Sequence, residues 1–130
     1  VYTDGSCKGV TVRRAGAGVY WADGAAMNIA ARVPGRQTNN RGELYAVKLA
    51  LRASNPLRNL DIYSDSELVI RLCCYWAPAI AARGWERKLL LHEVVHLLRA
   101  RLARTRFIWI KGHSGNVGGD AADRLAKEGA

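Results

Sequence analysis

The chain has 130 residues, 49% of them hydrophobic, enough for one compact domain with a single core spanning 1–130 and too few for a second. Twenty Lys and Arg against eleven Asp and Glu leave a net charge of +9, which a domain this small spreads over its surface as a potential that draws polyanions, above all nucleic acid. No run approaches the roughly 18 consecutive apolar residues of a membrane helix, and the first residues lack a signal-peptide layout, so the sequence reads as soluble with no membrane partner. Cys7, Cys73 and Cys74 form no C-x-x-C pair and no zinc-finger pattern, which argues against structural zinc, and the adjacent Cys73 and Cys74 in an apolar run read as buried free thiols in a reducing, intracellular compartment.

In chain order, Val1-Tyr2-Thr3-Asp4-Gly5-Ser6 reads as a strand breaking into a glycine-containing turn. Nothing precedes that strand, as expected of a piece of a longer polypeptide. Ala17 to Trp21 is a second strand, and Asp23-Gly24 is a hairpin turn leading to a third over Ala25 to Val33. Pro34-Gly35 ends the sheet run. Thr38 is placed to cap a helix whose Leu44, Val47 and Leu51, with Ala46 and Ala50, make an apolar stripe ending before Asn55-Pro56. A strand over Leu60 to Asp65 follows, then helices over Glu67 to Tyr75 and Glu86 to Leu102, the latter burying Leu91, Val94, Val95, Leu98 and Leu102. Arg106 to Ile110 is a last strand and Ala121 to Glu128 a last helix. This order predicts an α/β layer fold with the later strands parallel to the first.

Asp4 and Asp65 each end a predicted strand, so if those strands are neighbours the carboxylates meet at one sheet edge, where ligand sites of open α/β sheets gather. Buried like charges call for a raised pKa or a bound cation, and an all-oxygen set favours Mg²⁺ or Mn²⁺ over zinc. Singly, each has another reading: Asp4 and Asp65 as turn formers, Glu43 and Asp123 as solvated helix residues.

Together they are more specific. Tyr2-Thr3-Asp4-Gly5-Ser6, Thr38-Asn39-Asn40-Arg41-Gly42-Glu43-Leu44, Tyr63-Ser64-Asp65-Ser66, and Gly112-His113-Ser114-Gly115 followed by Asp120-Ala121-Ala122-Asp123 resemble, in order and spacing, the type 1 ribonuclease H family over essentially the whole chain. Pro34 to Asn39 and Ala122 to Gly129 look like its cellular eukaryotic branch. The resemblance implies an RNase H-like fold, a five-stranded mixed sheet with the first three strands antiparallel, flanked by helices. It further implies an endonuclease that hydrolyses the RNA strand of RNA/DNA hybrids, leaving 3′-hydroxyl and 5′-phosphate ends. In that match Asp4, Glu43, Asp65 and Asp123 hold two Mg²⁺ ions, with Mn²⁺ able to substitute, and His113 assists proton transfer and product release.

Substrate contacts follow from the same match. Asn39 and Asn40 face the RNA strand, with helix capping as their alternative role, while Arg36, Thr38 and Arg83 belong to a phosphate pocket on the DNA side. Trp76 and Trp85 lie where cellular members place a DNA-facing aromatic. Three departures stand out: Gly119 and Asp120 occupy positions where the family commonly has Asn and Glu, Arg83 stands where the cellular branch often has Asn in its phosphate pocket, and the basic segment after Trp85 is short. If the family's Asn caps the last helix, Asp120 or Asn116 must replace it. Rival readings are a non-catalytic nucleic-acid binder, another nuclease of the same broad fold, and the ribonuclease domain of a reverse transcriptase. As an isolated domain the chain is expected to be monomeric.

Overall fold

The structure, a computed structural model, describes residues 1–74 and 88–130. Strands β1 (Tyr2–Lys8), β2 (Arg14–Tyr20) and β3 (Ile29–Arg32) are followed by α1 (Asn39–Ala53), β4 (Leu60–Ser64), α2 (Glu67–Cys74), α3 (Lys88–Ala100), β5 (Thr105–Trp109) and α4 (Val117–Gly129). They build a five-stranded sheet in the order β3-β2-β1-β4-β5. The pairs β1–β2 and β2–β3 are antiparallel, whereas β4 runs parallel to both β1 and β5.

Strand β1 does not break at Gly5 as the sequence predicts; it continues to Lys8, so Asp4 lies within the strand rather than at its end. The reason is a close approach, not a turn. A Cβ on Gly5 would lie 2.2 Å from the Glu43 backbone nitrogen and 2.5 Å from the Gly42 carbonyl carbon. The missing side chain lets α1 settle directly onto β1. On the neighbouring strand, a Cβ on Gly18 would meet the Ala122 carbonyl oxygen of α4 at 2.1 Å, and one on Gly16 the Ala126 carbonyl oxygen, also at 2.1 Å. Gly5 pairs with Ala17 and Asp4 with Gly18, and successive strand residues face opposite sides, so α1 and α4 cover opposite faces of the sheet.

The main core lies on the α1 face. Leu44, Val47 and Leu51 of α1 pack with Leu60 and Ile62 of β4, Val69 and Leu72 of α2, and Leu90, Leu91 and Val94 of α3. Each such side chain, once buried, contributes about 1.5–3 kcal/mol. Ala15, Ala17 and Val19 of β2 join Val33, Ala46 and Ala50 in a second cluster, where small residues allow close packing. The predicted cap also forms: the Thr38 hydroxyl accepts from the Arg41 amide at 3.1 Å.

Other differences from the sequence reading have local causes. Leu102 lies past the end of α3 and is 83% exposed. The chain turns there because the Leu102 and Ala103 amides both donate to the Pro56 carbonyl, each at 3.0 Å. Beside it, Arg101 bonds Thr105 Oγ1 at 2.8 Å, Ser54 Oγ at 2.6 Å and the Arg58 carbonyl, fastening α1's end to β5. Cys74 is exposed, whereas its neighbour Cys73 is partly buried against the core, its thiol pushed up to about 12 by burial. Tyr75, Glu86 and Arg87, the ends of two predicted helices, lie outside the described residues. Among the described residues no helix is long and apolar enough to cross a membrane.

Candidate active site

Asp4 from β1, Glu43 from α1 and Asp65, the residue following Ser64 at the end of β4, converge so that one carboxylate oxygen from each lies within 4.8 Å of the others. Three local devices produce this. The Gly5–Gly42 approach brings Glu43 over β1. The parallel β1–β4 pairing sets Tyr2 beside Tyr63, two residues before Asp65. Ser64 and Ser66 then shape the exit from β4: Ser64 Oγ accepts from the Ser66 amide at 3.1 Å and Ser66 Oγ from the Val69 amide at 3.2 Å, starting α2.

Asp4 and Glu43 are buried, and Asp65 is partly so. Burial pushes the Asp4 carboxyl up to about 7, opposed by the hydrogen bonds it accepts from the Glu43 carboxyl and the Gly5 amide, and reinforced by the charges of Asp65 and Asp123. Burial and then the Asp4 charge raise Glu43 well above its ordinary range. Asp65 is raised chiefly by burial, with Asp123 adding and the nearby His113 opposing. Asp4 and Glu43 therefore titrate as a pair that retains a proton near neutrality. Glu43 Oε2 is buried with no hydrogen-bond partner among the described residues. Converging buried oxygens, mutual repulsion and one orphaned acceptor fit a hard divalent cation, which would satisfy the orphan and remove the repulsion.

A stability prediction follows. A carboxyl whose pKa is raised by folding stays protonated in the fold while the unfolded chain ionises. Its contribution is thus fully present below the ordinary 3.8 of Asp, declines as pH rises, and is exhausted by about 7 for Asp4. In chelator, the melting temperature is expected to fall between about pH 4 and about pH 7, reflecting a few kcal/mol, and Mg²⁺ is expected to restore most of it at pH 8. Calorimetry with and without Mg²⁺ checks this; a Mg²⁺-independent profile would remove the cation from the site.

Asp123, on α4, stands apart from the close trio. It lines the same cleft as Asp4 and Asp65, but its Oδ2 is paired with Lys127 Nζ one helical turn on, at 2.9 Å. The loop before α4 presents His113, exposed and in the left-handed region at φ 54°, next to Gly112, whose absent Cβ leaves room for Asp65 Oδ2. Helix α4 begins at Val117, earlier than predicted, because Asn116 caps it, its Oδ1 accepting from the Gly119 amide at 3.0 Å. The capping role thus falls to Asn116, while Asp120 lies exposed in the first turn and lines the cleft. Gly118 and Gly119 are helical and tightly packed: added Cβ atoms would meet the Tyr2 ring at 2.2 Å and Ile110 Cδ1 at 2.9 Å.

With this arrangement in view, comparison with known proteins is decisive. The family model for RNase H matches residues 1–130. The chain belongs to the type 1 ribonuclease H family. It is 36% identical to human ribonuclease H1 over 140 residues, covering 100% of this chain and 49% of the human one, so it spans about half the length of that relative. It is 34% identical to ribonuclease H of Bordetella avium over 135 residues, covering 99% of this chain and 88% of the bacterial one. The solved structure of LC9-RNase H1, described as a type 1 RNase H with the type 2 active-site motif, aligns with TM-score 0.77 at 27% identity, over 99% of this chain and 70% of that one.

The expected ribonuclease H substrate residues fall into two groups. Arg36, Thr38, Asn39 and Asn40 lie together at the entrance to α1, with Arg36 and both asparagines exposed. Thr38 alone caps the helix, so the capping alternative for the asparagines does not hold. Trp76, Arg83 and Trp85 lie outside the described residues. Three supporting residues escaped the sequence reading. Gln37 holds the segment before α1, its Oε1 accepting from Ala15 N at 2.7 Å and its Nε2 donating to Val33 O at 2.6 Å and Gly35 O at 2.9 Å. Trp109 Nε1 donates to the Asp65 carbonyl at 3.2 Å, tying β5 to the site. Lys127 holds Asp123, an i,i+4 spacing that was visible in the sequence.

Proposed function

We propose that this ribonuclease H domain cuts the RNA strand of RNA/DNA hybrids endonucleolytically, leaving 3′-hydroxyl and 5′-phosphate ends, with two Mg²⁺ ions held by Asp4, Glu43, Asp65 and Asp123 and Mn²⁺ able to replace them. The observation that carries this reading is the convergence of the Asp4, Glu43 and Asp65 oxygens around an orphaned Glu43 oxygen. Bound ions supply Lewis acidity at the scissile phosphate and make water a competent nucleophile near neutral pH. The protein's part is placement. Asp4 and Glu43, once their shared proton is lost, would hold the ions with Asp65 as a third carboxylate, and Asp123 would join them in place of its pairing with Lys127.

His113 moves a proton at the leaving 3′-oxygen and helps release product; its left-handed backbone is a conformation that non-glycine residues keep only under local constraint. Asn39 and Asn40 read the RNA strand through amides that both donate and accept, while Arg36 and Thr38, joined by Arg83, hold phosphate of the DNA strand. Trp76 and Trp85 complete the reading as packing partners of the deoxyribose strand. The domain acts as a monomer in a reducing compartment, where its three cysteines stay unbridged.

The test compares a labelled hybrid with matching duplex RNA, duplex DNA and single-stranded RNA, with Mg²⁺ and with chelator. Only the hybrid with Mg²⁺ is expected to be cut; cleavage of duplex DNA, or of hybrid in chelator, would overturn the reading. His113→Ala is expected to slow turnover by about 100-fold, the lower end of what a positioned acid or base contributes. Single-turnover kinetics check it, and loss as complete as at Asp65 would give His113 a larger role.

A further inference from the structure

Away from the carboxylate cleft, α3 carries His92-Glu93-Val94-Val95-His96, an H-E-x-x-H spacing. Residues four apart rise on one helix face, with Cβ atoms roughly 5–6 Å apart. That face points outward here: Leu91 and Val94 are buried against the core, while His92 and His96 are both exposed. The two histidines line an open groove of ≈ 420 Å³ with Glu93, Leu97 and, from α1, Lys48 and Arg52.

In zinc hydrolases this spacing works with a third protein ligand and a glutamate left available as base. Neither condition holds among the described residues. Glu93 is ion-paired with Lys48, tying α3 to α1, and the three-ligand cluster found among the described residues is the one at Asp4, Glu43 and Asp65. A hydrolytic zinc centre is therefore ruled out by the glutamate's engagement, but the histidine pair remains.

We propose that His92 and His96 form a two-imidazole site for a borderline transition ion, Zn²⁺, Ni²⁺ or Cu²⁺, with water in its other positions. Imidazole nitrogen favours these ions, whereas the carboxylate cluster favours harder ones, so the two sites sort cations by ligand chemistry. Each ring has two nitrogens, so a histidine that keeps a hydrogen bond through one ligates through the other. The Lys48–Glu93 pair neutralises one of the two basic residues that line the groove, Lys48 and Arg52, which lowers the repulsion an incoming cation meets. Binding clips successive turns of α3 together and stabilises the fold by an amount that grows with the logarithm of the free ion concentration above the dissociation constant.

The chain has three histidines, two in this site and His113 in the cleft, so ring resonances distinguish the sites directly. The experiment titrates the folded protein with Zn²⁺ in excess Mg²⁺, following the three rings by NMR. The His92 and His96 signals are expected to move together along one isotherm, ahead of His113. His96→Ala is expected to weaken the His92 response by at least about tenfold, and His113→Ala to leave it unchanged. Hybrid cleavage in Mg²⁺ is expected to survive His96→Ala. Independent shifts of the two rings, a His92 response that survives His96→Ala, a first response at His113, or no response in the micromolar range would each overturn the site.

Discussion

Replacing Asp65 by Asn is expected to abolish hybrid cleavage almost completely, well beyond the loss at His113→Ala, to leave hybrid binding largely intact, and to raise the melting temperature of the chelator-treated protein. All three follow from one carboxylate. Asn keeps the bulk that fits against Gly112, so the turn after β4 should hold its shape. The substitution removes a charge that the cation needs and that Asp4 and Glu43 oppose when no cation is present. Activity and metal-free stability should therefore move in opposite directions, which a merely structural aspartate would not produce. Binding should persist because Arg36, Asn39 and Asn40 lie on a different element, at the start of α1. Cleavage rates, hybrid affinity at fixed salt, and melting in chelator check the three parts. Substantial residual cleavage would place the metal centre elsewhere, and a lower metal-free melting temperature would show that repulsion among these carboxylates is not significant.

The fold was legible where one signal decided each element. The Thr38 cap, the α1 stripe of Leu44, Val47 and Leu51, and the alternation in β4 are local patterns with local causes, and each predicted element has a counterpart. What the sequence misplaced depends on partners distant in the chain. Gly5 looked like a turn because glycine's local meaning is conformational freedom, whereas its reason here is the backbone of α1 nearly forty residues on. Gly118 and Gly119 stood ahead of a last helix expected only from Ala121 and are helical packing positions against Tyr2 and Ile110. Leu102 continued the helical period but met the Pro56 carbonyl, which turned the chain.

The carboxylates show the same division. Their identity was legible only from four segments taken together, since each alone resembles an ordinary turn or helix residue. Their unequal status was not. Asp123 is held by Lys127 while the other three converge, a distinction set by side-chain geometry that spacing does not encode.

The Gly5–Gly42 contact sets how far Glu43 stands from Asp4, and Gly5→Ala is the substitution that tests it. The added Cβ would meet backbone atoms of Glu43 and Gly42 at 2.2 and 2.5 Å, which no rotamer change can relieve, so α1 must lift from β1. Overpacking of this kind costs about 3 kcal/mol or more when backbone has to move. Gly24→Ala is the matched control: at φ 67° the residue is left-handed, but nothing lies within 4 Å of the added atom, so only the conformational cost of about 1–2 kcal/mol applies. The two variants should differ in activity even more than in stability. Assayed well below its melting temperature, Gly24→Ala should cleave hybrid normally, whereas Gly5→Ala should lose cleavage because Glu43 moves off the cluster. Denaturant melts and single-turnover rates separate the two effects. Equal costs for the two substitutions, or normal cleavage by Gly5→Ala, would show that the close seating of α1 on β1 does not position the site.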